Sequence, residues 1–280
     1  LPDAFIRLLR SRVKALDPDG VLLGEVWEDC SDKQGPEGRR GYVNGDELDS
    51  AMNYPFMDAV QDFLLGRCDA YAFSDRLMAQ REWYPAPFYR ACLNLLSSHD
   101  VVRAQTALSG APSRHTTPRE QQATYAPTPE QARLGRERFL LATAIQMFCP
   151  GVPCVYYGDE AGLTGMADPF NRRTYPWGGE DAALQARVET LLHLRRDLKA
   201  LRTGRCRMGA LSPAVFGLIR YTDHGDLALL LVNNGAEPLT VQPSDELLRE
   251  GPDGDAPLPL AGPCTDEEGR CLLYTSDAAD

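Results

Sequence analysis

The sequence predicts an α/β protein that begins with a parallel sheet and ends with a small antiparallel β-domain. Over about the first 200 residues, short apolar runs alternate with segments of helical period, which is typical of strands and helices in turn. Polar residues follow the apolar runs directly, as they do at the carboxyl ends of parallel strands. From about Gly204 the pattern changes to alternating or short apolar runs. Periodicity alone does not decide whether the parallel sheet is open or closed into a barrel.

The chain begins with a predicted helix that leads into a buried strand. Apolar residues recur at helical spacing after Pro2, and an Asp-Pro-Asp-Gly turn at residues 17–20 ends the helix. Residues 21–24 are a continuous apolar run, as expected for a parallel strand covered on both faces. This strand delivers Glu25 into a long glycine-rich loop over residues 29–49.

The same order of elements continues along the chain. Residues 50–54 are predicted as a short strand, and residues 55–83 contain two helical stretches. Residues 92–96 form the next buried strand, which ends in Ser-Ser-His-Asp with His99 and Asp100. Again, polar side chains lie where the apolar run stops.

A loop, a capped helix and a third buried strand follow. Residues 110–129 are rich in Pro, Ser, Thr and Gln, which predicts a mobile surface excursion. Thr128 begins a capping-box pattern with Pro at the first helical position, so a helix is expected to about Phe148. Residues 152–157 form the strand, and a Gly-Asp-Glu sequence containing Asp159 closes it.

The last elements are one more helix and a group of short strands. Leucines and a valine at helical spacing predict an amphipathic helix over residues 184–201. Residues 216–221 and 227–233 flank an Asp-His-Gly-Asp turn and predict an antiparallel hairpin, with residues 239–241 as a further strand.

Charge and cysteine usage narrow the classes of function. Forty acidic against 29 basic residues give a net charge of −11, which disfavours nucleic acid or an anionic membrane surface as partner and fits a neutral substrate. No apolar run approaches the roughly 20 residues of a membrane span. The eight cysteines are scattered, which favours free thiols in a reducing compartment such as the cytoplasm. Secretion stays open because the chain starts at Leu1.

Glu25, Asp100 and His99 are the residues best placed for chemistry. Trp27 and the apolar strand are expected to shield Glu25 partly from water, so that its carboxyl group holds a proton and gives it to a leaving group. Asp100 in a more polar setting stays ionised and stabilises positive charge, which is the division of labour that glycoside hydrolysis needs. Taken singly, a carboxylate that ends a strand is more often structural, and a lone histidine is more often a buried imidazole. Their joint placement favours the functional interpretation.

Five sequence stretches make a resemblance specific. They are Gly-Glu-Val-Trp at 24–27, Met-Asn-Tyr-Pro-Phe at 52–56, Asn-Leu-Leu-Ser-Ser-His-Asp at 94–100, Gly-Val-Pro-Cys-Val-Tyr-Tyr-Gly-Asp-Glu at 151–160 and Asp-Pro-Phe-Asn-Arg-Arg at 168–173. In this order they resemble motifs of the α-amylase family of glycoside hydrolases (GH13), in its neopullulanase, cyclomaltodextrinase and maltogenic amylase branch. The resemblance covers about residues 1–245.

The resemblance implies a fold and a set of roles. Residues 1–203 would be the C-terminal half of a (β/α)8 TIM barrel, from about strand five to helix eight, and residues 204–270 a small antiparallel β-sandwich domain. Glu25 would be the general acid/base, and Asp100 the carboxylate that stabilises the oxocarbenium-like transition state. His99 would bind the same sugar.

Further residues carry a binding role by the same resemblance. Asp168 and Arg172 would hold the next sugar on the non-reducing side. Trp27 and Tyr54 are stacking or wall residues, although a core role is equally compatible with their type. The implied substrate is an α-glucan oligosaccharide, with no nucleic acid and no membrane as partner. No cofactor or metal is predicted; calcium and a homodimer stay open for a full-length parent.

The family's nucleophile is an Asp in an Arg-x-Asp motif that would precede Leu1. We therefore expect this chain, taken alone, to hydrolyse no glucan. A transglycosylase or isomerase of the family, and a non-catalytic binding module, are the alternatives. Residues 271–280 resemble the translation of a sequencing-library adapter, and the alternative there is a native final strand.

Overall fold

A computed structural model describes residues 1–36, 38–241 and 271–275. Its helices are α1 (Asp3–Leu16), α2 (Tyr54–Leu64), α3 (Ala70–Trp83), α4 (Ala86–Ala91), α5 (Ala104–Leu108), α6 (Arg119–Thr124), α7 (Pro129–Phe148), α8 (Ala182–Asp197) and α9 (Lys199–Thr203). Its strands are β1 (Leu23–Gly24), β2 (Gln34–Gly35), β3 (Gly38–Arg39), β4 (Ser50–Ala51), β5 (Leu93–Leu95), β6 (Val152–Cys154), β7 (Arg205–Ser212), β8 (Val215–Tyr221), β9 (Leu227–Asn233) and β10 (Cys271–Thr275).

Four short strands lie side by side and run parallel in the order in which they occur in the chain. β1 pairs with β4, so that Leu23 faces Ser50. A parallel bridge joins Met52 to Leu93, which places β4 beside β5, and β5 pairs with β6. The predicted parallel sheet with intervening helices is therefore confirmed. Its carboxyl ends lie at one edge, which is where sites are built in such sheets.

Buried amides hold these strands together. Asn53 Nδ2 donates to Asn94 Oδ1 at 2.9 Å, which links the segment after β4 to β5. Gln146 Nε2 on α7 donates to the carbonyl oxygens of Asn94 at 2.7 Å and of Cys154 at 3.0 Å. Because unpaired amides are costly in an interior, these bonds favour one register of the strands over a slipped one.

Two helix starts show how local sequence sets the boundaries. The Thr128 side chain accepts from the Gln131 backbone at 3.3 Å, and Gln131 Oε1 accepts from the Thr128 backbone at 2.9 Å. This is the capping box that the sequence predicts, and α7 begins directly after it. Asp69 caps α3 in the same manner, with its carboxylate accepting from Ala72 N at 2.8 Å.

The C-terminal strands form one antiparallel sheet in the order β10, β9, β8, β7. The predicted hairpin is confirmed, because β8 and β9 pair and Tyr221 faces Leu227. One face of the sheet shares a hydrophobic core with the helices, and Phe216 meets Phe73 edge to face at 4.8 Å. Among the described residues from Gly204 onward there is no second sheet of the kind that a sandwich needs, and the sandwich stays a prediction.

Two sequence-based expectations differ from the structure here. Residues 239–241 are not a strand, and the position beside β9 is taken by Cys271–Thr275. The predicted helix over residues 184–201 is broken into α8 and α9 at Leu198, where the backbone is extended. Residues 242–270 lie outside the described chain. The adapter origin of residues 271–280 concerns the nucleotide sequence and stays a prediction.

Candidate active site

Glu25 follows β1 immediately, at the carboxyl end of the parallel strands. Gly24 before it packs closely against Leu48, and a Cβ there would come within 2.4 Å of Leu48 Cδ1, so that the leucine side chain would have to move. The Glu25 carboxylate accepts a hydrogen bond from Trp27 Nε1 at 3.2 Å. Its side chain is exposed in the described chain, so the expected shielding by Trp27 is wrong. The Trp27 ring stacks on Tyr54, and its nitrogen donates to Glu25.

Trp27 and Tyr54 connect Glu25 to Asp100. The two rings stack with centroids 4.1 Å apart and planes 7° from parallel, and Tyr54 is 1% exposed. The Tyr54 hydroxyl lies 3.3 Å from Ser98 Oγ, which in turn accepts from the Asp100 backbone at 3.2 Å. Burial raises the pKa of Tyr54, and the charges of Glu25 and Asp100 raise it further. Both predicted carboxylates therefore lie on the same side of the sheet around one aromatic pair.

Asp100 lies between two positively polarised groups. His99 Nε2 is 3.1 Å from one of its carboxylate oxygens, and Arg172 Nη2 is 3.2 Å from the other. Arg172 Nε is 2.6 Å from Asp168 Oδ1 and also donates to the His99 carbonyl at 3.2 Å. The structure thus brings together four residues that the sequence proposes as separate parts of one site. All four are partly or fully accessible to a ligand.

Arg103 is a buried arginine that the sequence analysis does not single out. It bonds to the segments that carry this cluster. Arg103 is 0% exposed, and its Nη1 donates to Asp159 Oδ1 at 2.9 Å and to the Tyr157 carbonyl at 2.6 Å. Ser97 donates to the other Asp159 oxygen. Burial raises the pKa of Asp159 to about 6, although Ser97 and Arg103 lower it. The sequence does contain a signal for the burial of Arg103, since this charged residue lies within the apolar run Val-Val-Arg-Ala at 101–104.

The same arginine fixes the loop that carries Asp168 and Arg172. Arg103 Nε donates to the Asn171 carbonyl at 2.8 Å. Asn171 Nδ2 donates to the carbonyls of Ser98 at 3.1 Å and Val101 at 2.7 Å. The loop after β6 is thereby held against the end of β5. No local sequence pattern indicates the structural role of Asn171, because its hydrogen-bond partners are backbone carbonyls about 70 residues away.

Arg114 is a second residue that the sequence did not single out. It comes from residues 110–129, which the sequence predicts to be a mobile excursion and which contain α6. Its Nη1 donates to the Asp100 carbonyl at 2.5 Å, and its guanidinium lies 5.5 Å from the centroid of Trp27. Beside it, a groove of about 340 Å³ is lined by Trp27, Tyr54, Asp58, Arg114 and His115 among others. This is the size of a small-molecule site.

The expectations about cysteines, metal ions and membrane spans are compared here with the described residues only. Six cysteines are free, namely Cys30, Cys68, Cys92, Cys149, Cys154 and Cys206, and the first, third, fourth and sixth of these are buried. No cluster of three or more His, Cys, Asp or Glu side chains in those ranges could hold a metal ion. Among the helices of the same ranges, none has the length and hydrophobicity to cross a bilayer. The expected absence of a cofactor stays a prediction.

Parallel strands with two carboxylates, a histidine and an arginine gathered at their carboxyl ends define the class: a parallel α/β catalytic domain with a polar site above its strands. Comparison with known families makes this specific. The profile described as "Alpha amylase, catalytic domain" matches residues 3–203, and the chain belongs to that family.

The most similar relatives include enzymes named for starch-type glucans. The chain is 35% identical over 206 residues to an amylopullulanase of Thermoanaerobacter thermohydrosulfuricus, covering 70% of this chain and 13% of that protein. It is 33% identical over 237 residues to a cyclomaltodextrinase of Geobacillus thermopakistaniensis, covering 83% of this chain and 35% of that protein. The chain therefore spans about a third or less of these two relatives.

A solved structure matches the fold over almost the whole chain. The cyclic alpha-maltosyl-(1→6)-maltose hydrolase from Arthrobacter globiformis superposes with a TM-score of 0.74 at 28% identity. The match covers 98% of this chain and 54% of that one. Another structure of the same hydrolase contains cyclic alpha-maltosyl-(1→6)-maltose.

Proposed function

We propose that this chain is part of a retaining glycoside hydrolase that acts on α-glucans such as maltodextrin, cyclodextrin or pullulan. Residues 1–203 then form half of a (β/α)8 barrel, residues 204–270 belong to a C-terminal β-sandwich, and the nucleophilic Asp lies upstream of Leu1. The observation that carries the proposal is the continuous series of contacts from Glu25 through Trp27, Tyr54 and Ser98 to Asp100.

In the proposed mechanism the upstream Asp attacks the anomeric carbon while Glu25 protonates the leaving oxygen. The Asp100 carboxylate, which lies between His99 and Arg172, stabilises the positive charge that develops on the sugar ring. Glu25 then removes a proton from water, which hydrolyses the glycosyl-enzyme. Retention requires Glu25 and the upstream Asp to lie about 5 to 5.5 Å apart. In the longer protein the additional strands would also shield Glu25, which is exposed here.

The test is an assay of the full-length protein beside the 280-residue chain. We expect the full-length protein to release reducing sugar of retained anomeric configuration from maltotriose, pullulan or cyclodextrin, and the 280-residue chain alone to release none. Turnover by the chain alone, abolished in Glu25→Gln, would show that no upstream nucleophile is needed. If the full-length protein forms transfer products in place of reducing sugar, the transglycosylase alternative is indicated. If it binds maltotriose without turning it over, the binding module is indicated.

Arg172 supplies a prediction about substrate binding. In the full-length protein, Arg172→Gln is expected to raise KM for maltotriose about tenfold, because one charge-assisted bond to a sugar hydroxyl and the pairing with Asp168 are both lost. Steady-state kinetics measure this change. Arg173→Gln is the matched control, since the neighbouring side chain is exposed and donates only to the Thr164 carbonyl at 3.4 Å. Equal effects in both variants would remove Arg172 from the site.

A further inference from the structure

A second cavity lies at the opposite end of the parallel strands from Glu25 and Asp100. It has a volume of about 450 Å³, and Pro150 and Gly151, which immediately precede β6, form part of its wall. The amino end of β6 therefore faces this cavity, whereas the proposed catalytic residues follow the carboxyl ends of the strands. Nothing in the proposed glycosidase mechanism uses it.

Arginines dominate the lining of this cavity. Five of them border it, and no Asp or Glu of the described residues does. They are Arg81, Arg90, Arg202, Arg205 and Arg220. Such a concentration is unusual in a chain of net charge −11, where the average surface repels anions.

The arginines lack enough carboxylates to balance their charge. Arg205 pairs with Asp223 at 3.3 Å, whereas Arg81 donates only to the Cys206 carbonyl at 2.9 Å. Among the described residues, Arg90 and Arg202 make no hydrogen bond or ion pair with another side chain, although the charge of Arg202 acts on the Asp197 carboxylate nearby. Two of the five guanidinium groups therefore present all their donors to the cavity or to water.

Arg220 and its neighbour Arg195 extend the positive charge into the interior. Arg220 is 2% exposed and donates to the carbonyls of Phe148 at 2.8 Å and Gly204 at 3.0 Å. Arg195 likewise donates to the carbonyls of Met147 and Cys149. Burial lowers the pKa of Arg195 to about 10, and the charge of Arg220 lowers it further. Carbonyl dipoles satisfy the donors but bring no negative charge.

Tyr89 adds a hydroxyl donor to the arginines of the cavity. The residue is 7% exposed and lines the cavity, yet its hydroxyl has no hydrogen-bond partner among the residues described. The hydroxyl opens on the cavity, so that water or a ligand there supplies its hydrogen bonds. The acidic residues that would compete for this hydroxyl are missing from the described lining.

We propose that this cavity binds a small molecule that carries a phosphate group. A phosphate dianion matches the planar donor fork of arginine, balances more than one guanidinium, and accepts a hydrogen bond from the Tyr89 hydroxyl. The volume of about 450 Å³ exceeds what one inorganic phosphate fills and lies in the range of small-ligand sites. A hexose phosphate is the class of ligand that fits both the charge and the size.

Calorimetric titration of the 280-residue chain at fixed ionic strength tests the proposal, with glucose 6-phosphate, inorganic phosphate and glucose as probes. We expect saturable binding of glucose 6-phosphate with a Kd below about 1 mM, and none of glucose. Arg90→Gln and Arg202→Gln are each expected to weaken it about tenfold. Inorganic phosphate binding as tightly would support the phosphate site and assign the free ion as its ligand.

Two further variants separate a site from general surface charge. Tyr89→Phe removes one oxygen whose loss breaks no bond in the protein, so we expect about fivefold weaker binding with an unchanged melting temperature. Arg187→Gln, on the exposed side of α8 and outside the cavity, is expected to change nothing. Binding that does not saturate by about 10 mM, or that weakens equally in Arg187→Gln, would overturn the proposal. These results do not depend on whether the protein hydrolyses glucans.

Discussion

Glu25→Gln in the full-length protein is expected to lower kcat for maltotriose by about 10²- to 10⁴-fold, the range that a positioned general acid supplies. The amide keeps the size of the side chain and its contact with Trp27, but it has no proton to give to the leaving oxygen. A maltosyl fluoride needs little protonation of its leaving group, so the formation of its glycosyl-enzyme is expected to lose much less. Comparison of kcat/KM for the two substrates measures this difference, because kcat/KM reports the formation of the glycosyl-enzyme and not its hydrolysis.

The control for that experiment is the nearest other glutamate. Glu28 belongs to the same loop, is exposed, and pairs with Lys33 at 2.5 Å. The hydrogen bond from Lys33 lowers the pKa of Glu28, so this carboxyl is ionised at neutral pH and cannot serve as the acid. Glu28→Gln should therefore leave kcat unchanged for both substrates. Equal losses of kcat/KM for maltotriose and maltosyl fluoride in Glu25→Gln would contradict the role of Glu25 as proton donor.

The ends of the parallel strands could be predicted from the sequence because they are local features. Residues 21–24, 92–96 and 152–157 are apolar and are each followed at once by polar side chains. The structure keeps all three as parallel strands, although the hydrogen-bonded parts are only two or three residues long. Position in the sequence therefore suffices to predict Glu25 and Asp100 as site residues.

The residues that hold the site together could not be found in this manner. Arg103, Asn171 and Arg114 act through backbone carbonyls that lie 14 to 73 residues away, and a carbonyl is the same in every residue. Composition even favoured a mobile segment around Arg114. The prediction that Trp27 shields Glu25 is wrong for a related reason, since the sequence does not show that Trp27 stacks on Tyr54.

Arg103 is the residue whose loss should cost the fold most. Arg103→Met is expected to lower the free energy of unfolding by about 3 to 5 kcal/mol at pH 8, because it leaves the buried Asp159 carboxylate without its counter-ion. Methionine keeps much of the side-chain volume, so that the charge and its hydrogen bonds are the main loss. Urea denaturation at pH 5, 7 and 8 measures the effect.

The pH dependence of that loss has a defined sign. The pKa of Asp159 in the folded chain is about 6, above its ordinary value of 3.8, so its contribution to stability is greatest below pH 3.8 and falls as the pH rises through about 6. Without Arg103 this pKa rises further, and the deficit of Arg103→Met should therefore be smallest at pH 5 and largest at pH 8. Arg136→Met breaks a partly exposed pair with Asp181 and should cost at most about 1 kcal/mol. A deficit in Arg103→Met that is independent of pH would show that packing, and not the charge of Asp159, is what Arg103 provides.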